Sequence, residues 1–181
     1  MNQTHSSHDR LVNAVGSHLQ GFLSGEIGLE VRPPEPQQED MQRLRLGYLT
    51  SIVSVEEDVS TLIACSFERG LIEQIFRIYA EGVEVADDEQ EAMIEETAAE
   101  VINVVVGNAM ADIQTPGKAI GLSPPVVLSE AKSLTRHRDA QFSSFRLHTS
   151  AGLMSVHFLC PREAVAADLT LELPATTQSN R

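Results

Sequence analysis

No basic residue lies between Arg77 and Lys118, a span that holds ten acidic ones. A surface built from that span repels the phosphate backbone of nucleic acids and the anionic face of membranes, so neither is expected as a partner. A lysine-bearing protein surface is compatible with it. The same sign dominates the whole chain of 181 residues, whose formal net charge is −13.

Other features are missing as well. No stretch approaches the 18 or so consecutive apolar residues that a membrane span needs. Met1 to Leu11 lacks a basic region followed by an apolar one, so a cytoplasmic protein is expected. Cysteine occurs twice, at Cys65 and Cys160, each inside an apolar, strand-like segment where a small buried side chain is the natural role. With no second Cys or His near either of them at ligand spacing, and His5 and His8 three apart only by chance in a polar terminus, no metal site is expected. Nor is there a Gly-rich phosphate loop or a Gly-x-Ser-x-Gly elbow, which removes the usual signals for nucleotide binding and nucleophilic catalysis.

What remains is an ordinary globular balance, 42% hydrophobic and 22% charged, long enough for one well-buried domain. That domain is expected over residues 9–173, between a disordered N-terminus at 1–8 and a disordered tail at 174–181. A helix is predicted from Asp9 to Leu23, where Leu11, Val12, Val15, Leu19, Phe22 and Leu23 follow helical spacing. Alternation at Ile27, Leu29 and Val31 suggests a short strand, and Pro33, Pro34 and Pro36 an extended loop after it. Leu44 to Val55 and Val59 to Ser66 read as a hairpin. Phe67 to Tyr79 reads as a helix with Leu71, Ile72, Ile75, Phe76 and Tyr79 inward. Strands follow at Pro125 to Leu128, Gln141 to His148 and Leu153 to Cys160, with a last one through Leu169, Leu171 and Leu173. The order gives an α+β fold, a mainly antiparallel sheet with its helices on one face.

The central element is a long helix from Asp87 to Ile113. Its acidic start complements the amide dipoles of a helix N-terminus. Ile94, Ala98, Val101, Ile102, Val105, Ala109 and Ile113 recur at three- and four-residue steps and form a stripe to be buried. The run Val104-Val105-Val106 also suits a strand, so a strand from Glu100 to Val106 stands as the alternative. Glu96, Glu100, Asn103 and Gly107 fall on the opposite stripe. There a carboxylate and a carboxamide sit side by side, followed one turn on by bare backbone. Such a stripe is either a solvated outer face or a docking surface with a chemical group at its centre.

Glu100-Val101-Ile102-Asn103 followed by Gly107-Asn108-Ala109, with Pro124-Pro125 downstream, resembles the chemotaxis phosphatases of the CheC/CheX/FliY group, the CheX members most closely. The order of elements from about Leu11 to Leu173 resembles theirs too. Two positions depart from the family pattern: Glu96 stands where Asp or Ser is common, and Pro125 comes one residue early. A single Glu-x-x-Asn is similar to CheX members, since CheC-like ones carry two.

The resemblance implies a CheX-like fold, a homodimer, and a substrate in the phospho-aspartate of a CheY-like response regulator. It implies catalytic roles for Glu100 and Asn103, with Glu96 and Gly107 toward the partner. No cofactor of its own is implied, Mg²⁺ being supplied by the receiver. A non-catalytic receiver-binding or flagellar-switch-like module of the same fold is the alternative.

Overall fold

Apolar alternation builds strands and apolar three-four spacing builds helices, and both patterns converge on one core. The computed structural model describes residues 3–37, 43–56, 60–114, 117, 120–129, 133–135, 140–161 and 170–172. Helix α1 covers Gln3–Gly21 and continues into a π-helical turn at Phe22–Glu26. Strands β1 (Glu35–Pro36), β2 (Arg43–Arg45), β3 (Leu49–Glu56) and β4 (Ser60–Phe67) follow. Then come helices α2 (Arg69–Tyr79) and α3 (Gln90–Ile113). The rest is β: β5 (Gly121–Leu122), β6 (Val126–Leu128), β7 (Ser133–Thr135), β8 (Ala140–Thr149), β9 (Gly152–Pro161) and β10 (Thr170–Glu172).

The large sheet runs β1-β8-β9-β4-β3-β5, with β6 pairing beside β5 on β3, and every pairing is antiparallel. All three helices lie on one face of it, in a core that includes Leu19, Leu23, Ile63, Phe67, Ile72, Ile102 and Phe158. The mixed helical and antiparallel fold matches the sequence pattern. A three-stranded sheet, β10-β7-β2, adds a layer on the other face, where Leu44 and Leu134 pack with Ala64 and Leu159.

Several boundaries differ from the sequence expectation. Helix α1 begins at Gln3 rather than Asp9. His8 anchors it to the sheet, its Nε2 2.7 Å from Ser143 Oγ and its Nδ1 3.2 Å from Cys160 Sγ. The strand through Ile27, Leu29 and Val31 does not form. Gly28 takes a positive φ of 73°, which breaks an extended run, and only the Val31–Thr149 bridge remains. The proline loop contains β1 at the sheet edge, where a missing N–H costs no ladder bond.

Leu44 to Val55 is two strands instead of one. A Cβ at Gly47 would lie 2.6 Å from the Phe67 carbonyl oxygen, so the chain turns there at close quarters with β4. Tyr79, expected inward, is 42% exposed. Helix α3 starts at Gln90, three residues after Asp87. Its Val104-Val105-Val106 run is helical, because packing of Val105 and Val106 in the core outweighs a weak β preference. Cys65 is buried, its thiol pushed up to about 12 by that burial, and Cys160 is half-buried. The expected tail at 174–181 lies outside the described residues, as do Leu169 and Leu173.

Candidate active site

Helix α3 carries nine buried residues, among them Ile94, Ala98, Val101, Ile102, Val105 and Ala109 from the predicted stripe. Ile113 is half-buried at its end. The helix packs on α1 and α2 at its flanks and on β3 and β6 beneath. One ridge stays clear of all four. Glu96, Glu100 and Asn103 are exposed on it and Gly107 is half-exposed, so the four predicted residues share one open face. From Glu96 to Gly107 the ridge runs about 16 Å along the axis. Glu100 and Asn103, three residues apart, are lateral neighbours with Cβ atoms about 5–6 Å from each other.

Gly107 has no structural partner that demands it. A Cβ built there meets nothing within 4 Å. A glycine in a helix interior costs roughly 1 kcal/mol relative to alanine, so the chain carries a penalty that its own packing does not require. Bare backbone on an otherwise open ridge admits a close approach from outside.

Two grooves flank the ridge, and neither was visible in the sequence. Toward α2 is a groove of about 210 Å³ whose lining includes Tyr79, Val83, Met93, Glu96, Thr97 and Glu100. Toward α1 is a more polar one of about 170 Å³, with His18, Phe22, Glu26, Val104 and Asn108 in its wall. The Tyr79 phenol links the two sides electrostatically: burial first, then the carboxylates of Glu26 and Glu100, hold its pKa above the ordinary value. A neutral tyrosine hydroxyl beside a carboxylate rim is the result. Tyr79 and Asn108 are the residues that spacing alone missed; residues 80–89 separate α2 from α3, and no spacing rule carries a contact across a connection of that length. Among the described residues no group of three or more His, Cys, Asp or Glu side chains is placed to hold a metal ion. None of the described helices is long and apolar enough to cross a membrane.

The family described as "Chemotaxis phosphatase CheX" matches residues 49–148, which include all of α3 and its ridge. The chain belongs to the CheX family. Solved CheX structures share the fold at low identity. A CheX from Desulfovibrio desulfuricans superposes with a TM-score of 0.65 at 16% identity, over 86% of this chain and 99% of its own. A CheX from Vibrio vulnificus gives 0.60 at 19%, over 83% and 95%. The CheX-CheY-BeF₃-Mg²⁺ complex from Borrelia burgdorferi gives 0.57 at 17%, over 84% and 96%. No match is found among curated protein sequences.

Proposed function

We propose that this CheX-family chain speeds hydrolysis of the aspartyl phosphate on a CheY-like receiver domain, ending a chemotaxis or two-component signal. The observation that carries this reading is the pairing of Glu100 with Asn103 on a face of α3 that the described residues leave open. The Borrelia burgdorferi structure, a CheX with CheY, BeF₃ and Mg²⁺, supports a receiver as the partner, BeF₃ being a stand-in for a phosphoryl group.

An acyl phosphate is already reactive, and the receiver's own Mg²⁺ and lysine neutralise its phosphoryl oxygens. What the partner lacks is an oriented water. In this reading the Asn103 carboxamide accepts a hydrogen bond from that water and holds it in line with the scissile bond. Water oxygen bonds to phosphorus, the P–O bond to aspartate breaks, and the carboxylate and inorganic phosphate are released. Asn103 positions and does not act as a base. Glu100 pairs with the receiver's lysine and fixes the register of the two surfaces. Glu96 lies at the rim toward the partner, and Gly107 lets the partner's surface approach the helix backbone. The reading includes a homodimer whose contact lies away from α3, leaving each copy's ridge open.

The test is the decay of a phosphorylated CheY-like receiver, followed by radiolabel or intrinsic fluorescence, with and without this protein. Acceleration proportional to the protein added is expected. Binding without acceleration would replace the phosphatase by the receiver-binding module.

A further inference from the structure

Tyr79 and Val83 keep 42% and 59% of their surface open, beside the exposed carboxylates of Glu96 and Glu100 along the groove between α2 and α3. The two halves of this groove ask for different neighbours. Its aliphatic and aromatic wall gains by excluding water, and its rim gains by meeting a cation. Thr97 contributes no free hydroxyl, since its Oγ1 donates to the Met93 carbonyl oxygen at 2.8 Å. The Tyr79 hydroxyl adds a neutral donor and a ring face.

None of the described residues that line the groove brings a positive charge to the rim. Among the described residues no lysine or arginine lines the groove, and the sequence has none between Arg77 and Lys118. One class of side chain satisfies both halves at once. Lysine and arginine lay three or four methylenes along apolar surface while the charged head reaches a polar edge. An arginine head also stacks on a tyrosine face.

We propose that this groove takes a basic side chain of the partner receiver, its alkyl stem on Tyr79, Val83 and Met93 and its charged head against Glu96. The proposal rests on the receiver reading above and adds a second anchor to it, separate from the lysine that meets Glu100. Glu96 precedes Asn103 by two helical turns, about 10 Å along the axis. At that distance the groove governs which receiver docks, while Asn103 governs how fast phosphate leaves.

The experiment measures decay of a CheY-like receiver charged with acetyl phosphate as a function of receiver concentration. Fluorescence anisotropy of the BeF₃-loaded receiver gives Kd in parallel. Val83→Ser should raise KM and Kd roughly three- to tenfold with kcat at saturation unchanged. Glu96→Gln should raise KM and Kd by a similar factor that fades at high salt, and Glu96→Lys should raise them further through like-charge repulsion. Weakening by Val83→Ser with no response to either Glu96 variant would make the occupant apolar and overturn the basic assignment. Unchanged Kd in all three variants would remove the groove from the interface. Failure of the phosphatase reading looks different: the parent then speeds no decay, while its Kd and the response to Val83→Ser are still read by anisotropy.

Discussion

His18 Nε2 lies 2.6 Å from Asp112 Oδ2, tying α1 to the last turns of α3. Nearby, Arg10 Nη2 donates to the Ile113 carbonyl oxygen at 3.3 Å. The ridge helix is therefore held at its C-terminal end by contacts from the start of the chain. Both partners of the pair are partly open to solvent, with 31% and 67% of their side-chain surface exposed, so the link is a weak one. A double-mutant cycle with His18→Ala and Asp112→Ala should give a coupling below about 1 kcal/mol by urea denaturation. A coupling above about 2 kcal/mol would make this pair a structural anchor.

Asn103→Ala separates positioning from folding. It exchanges an exposed residue for the best helix former, so the thermal midpoint should hold or rise slightly. Loss of the group proposed to orient water should lower kcat about a hundredfold, equivalent to about 3 kcal/mol of transition-state stabilisation. Affinity for a BeF₃-loaded receiver should be largely kept. A variant that dephosphorylates as fast as the parent would sink the assignment of Asn103.

Gly107→Ala tests the bare backbone on the ridge. Because the added methyl meets open space, the fold should gain up to about 1 kcal/mol, read by denaturant titration. The same methyl stands where a partner is proposed to come close, so receiver affinity should fall several-fold. Gain in both stability and affinity would show that nothing approaches there.

His157 sets an acid limit on the fold. Burial first, then the positive charge of Arg146, lower its pKa to about 4 from an ordinary 6.5, and its Nδ1 lies 2.8 Å from Ser144 Oγ. The folded state holds this ring neutral, so between those two values the unfolded chain binds the proton more tightly. The stability it contributes is complete above pH 6.5 and is lost as pH falls toward 4, amounting to about 3 kcal/mol. Urea midpoints of the parent and of His157→Gln, compared at several values across that window, should diverge by this acid-linked difference. Parallel curves would mean that the ring does not stay neutral inside.

A homodimer is the proposed assembly. Light scattering at tens of micromolar should give twice the mass of the 19.8 kDa chain. The outer sides of the long strands β8 and β3 are already paired, β8 with residues 30–37 and β3 with β5 and β6. The second copy should therefore leave the edge amides of β8 unaffected. A mass of one chain at that concentration would exclude the dimer.

Helix α3 and its two faces were legible because nearest-neighbour spacing decides them: Ile94 through Ala109 inward, Glu96, Glu100 and Asn103 outward. Long-range contacts decided the rest. The break before β3 depends on Gly47 meeting the carbonyl of Phe67, twenty residues away in sequence. The three-stranded sheet joins β2 to β7 and β10: the last strand was readable from its alternation, but three-residue β7 was not, and no local pattern says that these three strands pair. The grooves depend on how α1 and α2 settle against α3, where Tyr79, the last residue of α2, stays half-open. Periodicity along one chain carries none of that.

The ridge also inherits the timescale of its own underside. Nine of the 24 residues of α3 are sealed in the core, so its backbone amides there exchange with solvent only when much of the molecule opens. Glu100 and Asn103 thus ride on a slow-exchanging scaffold that does not reshape itself during an encounter lasting milliseconds. Under the proposed reading, whatever rearrangement accompanies docking then falls to the receiver and not to this helix.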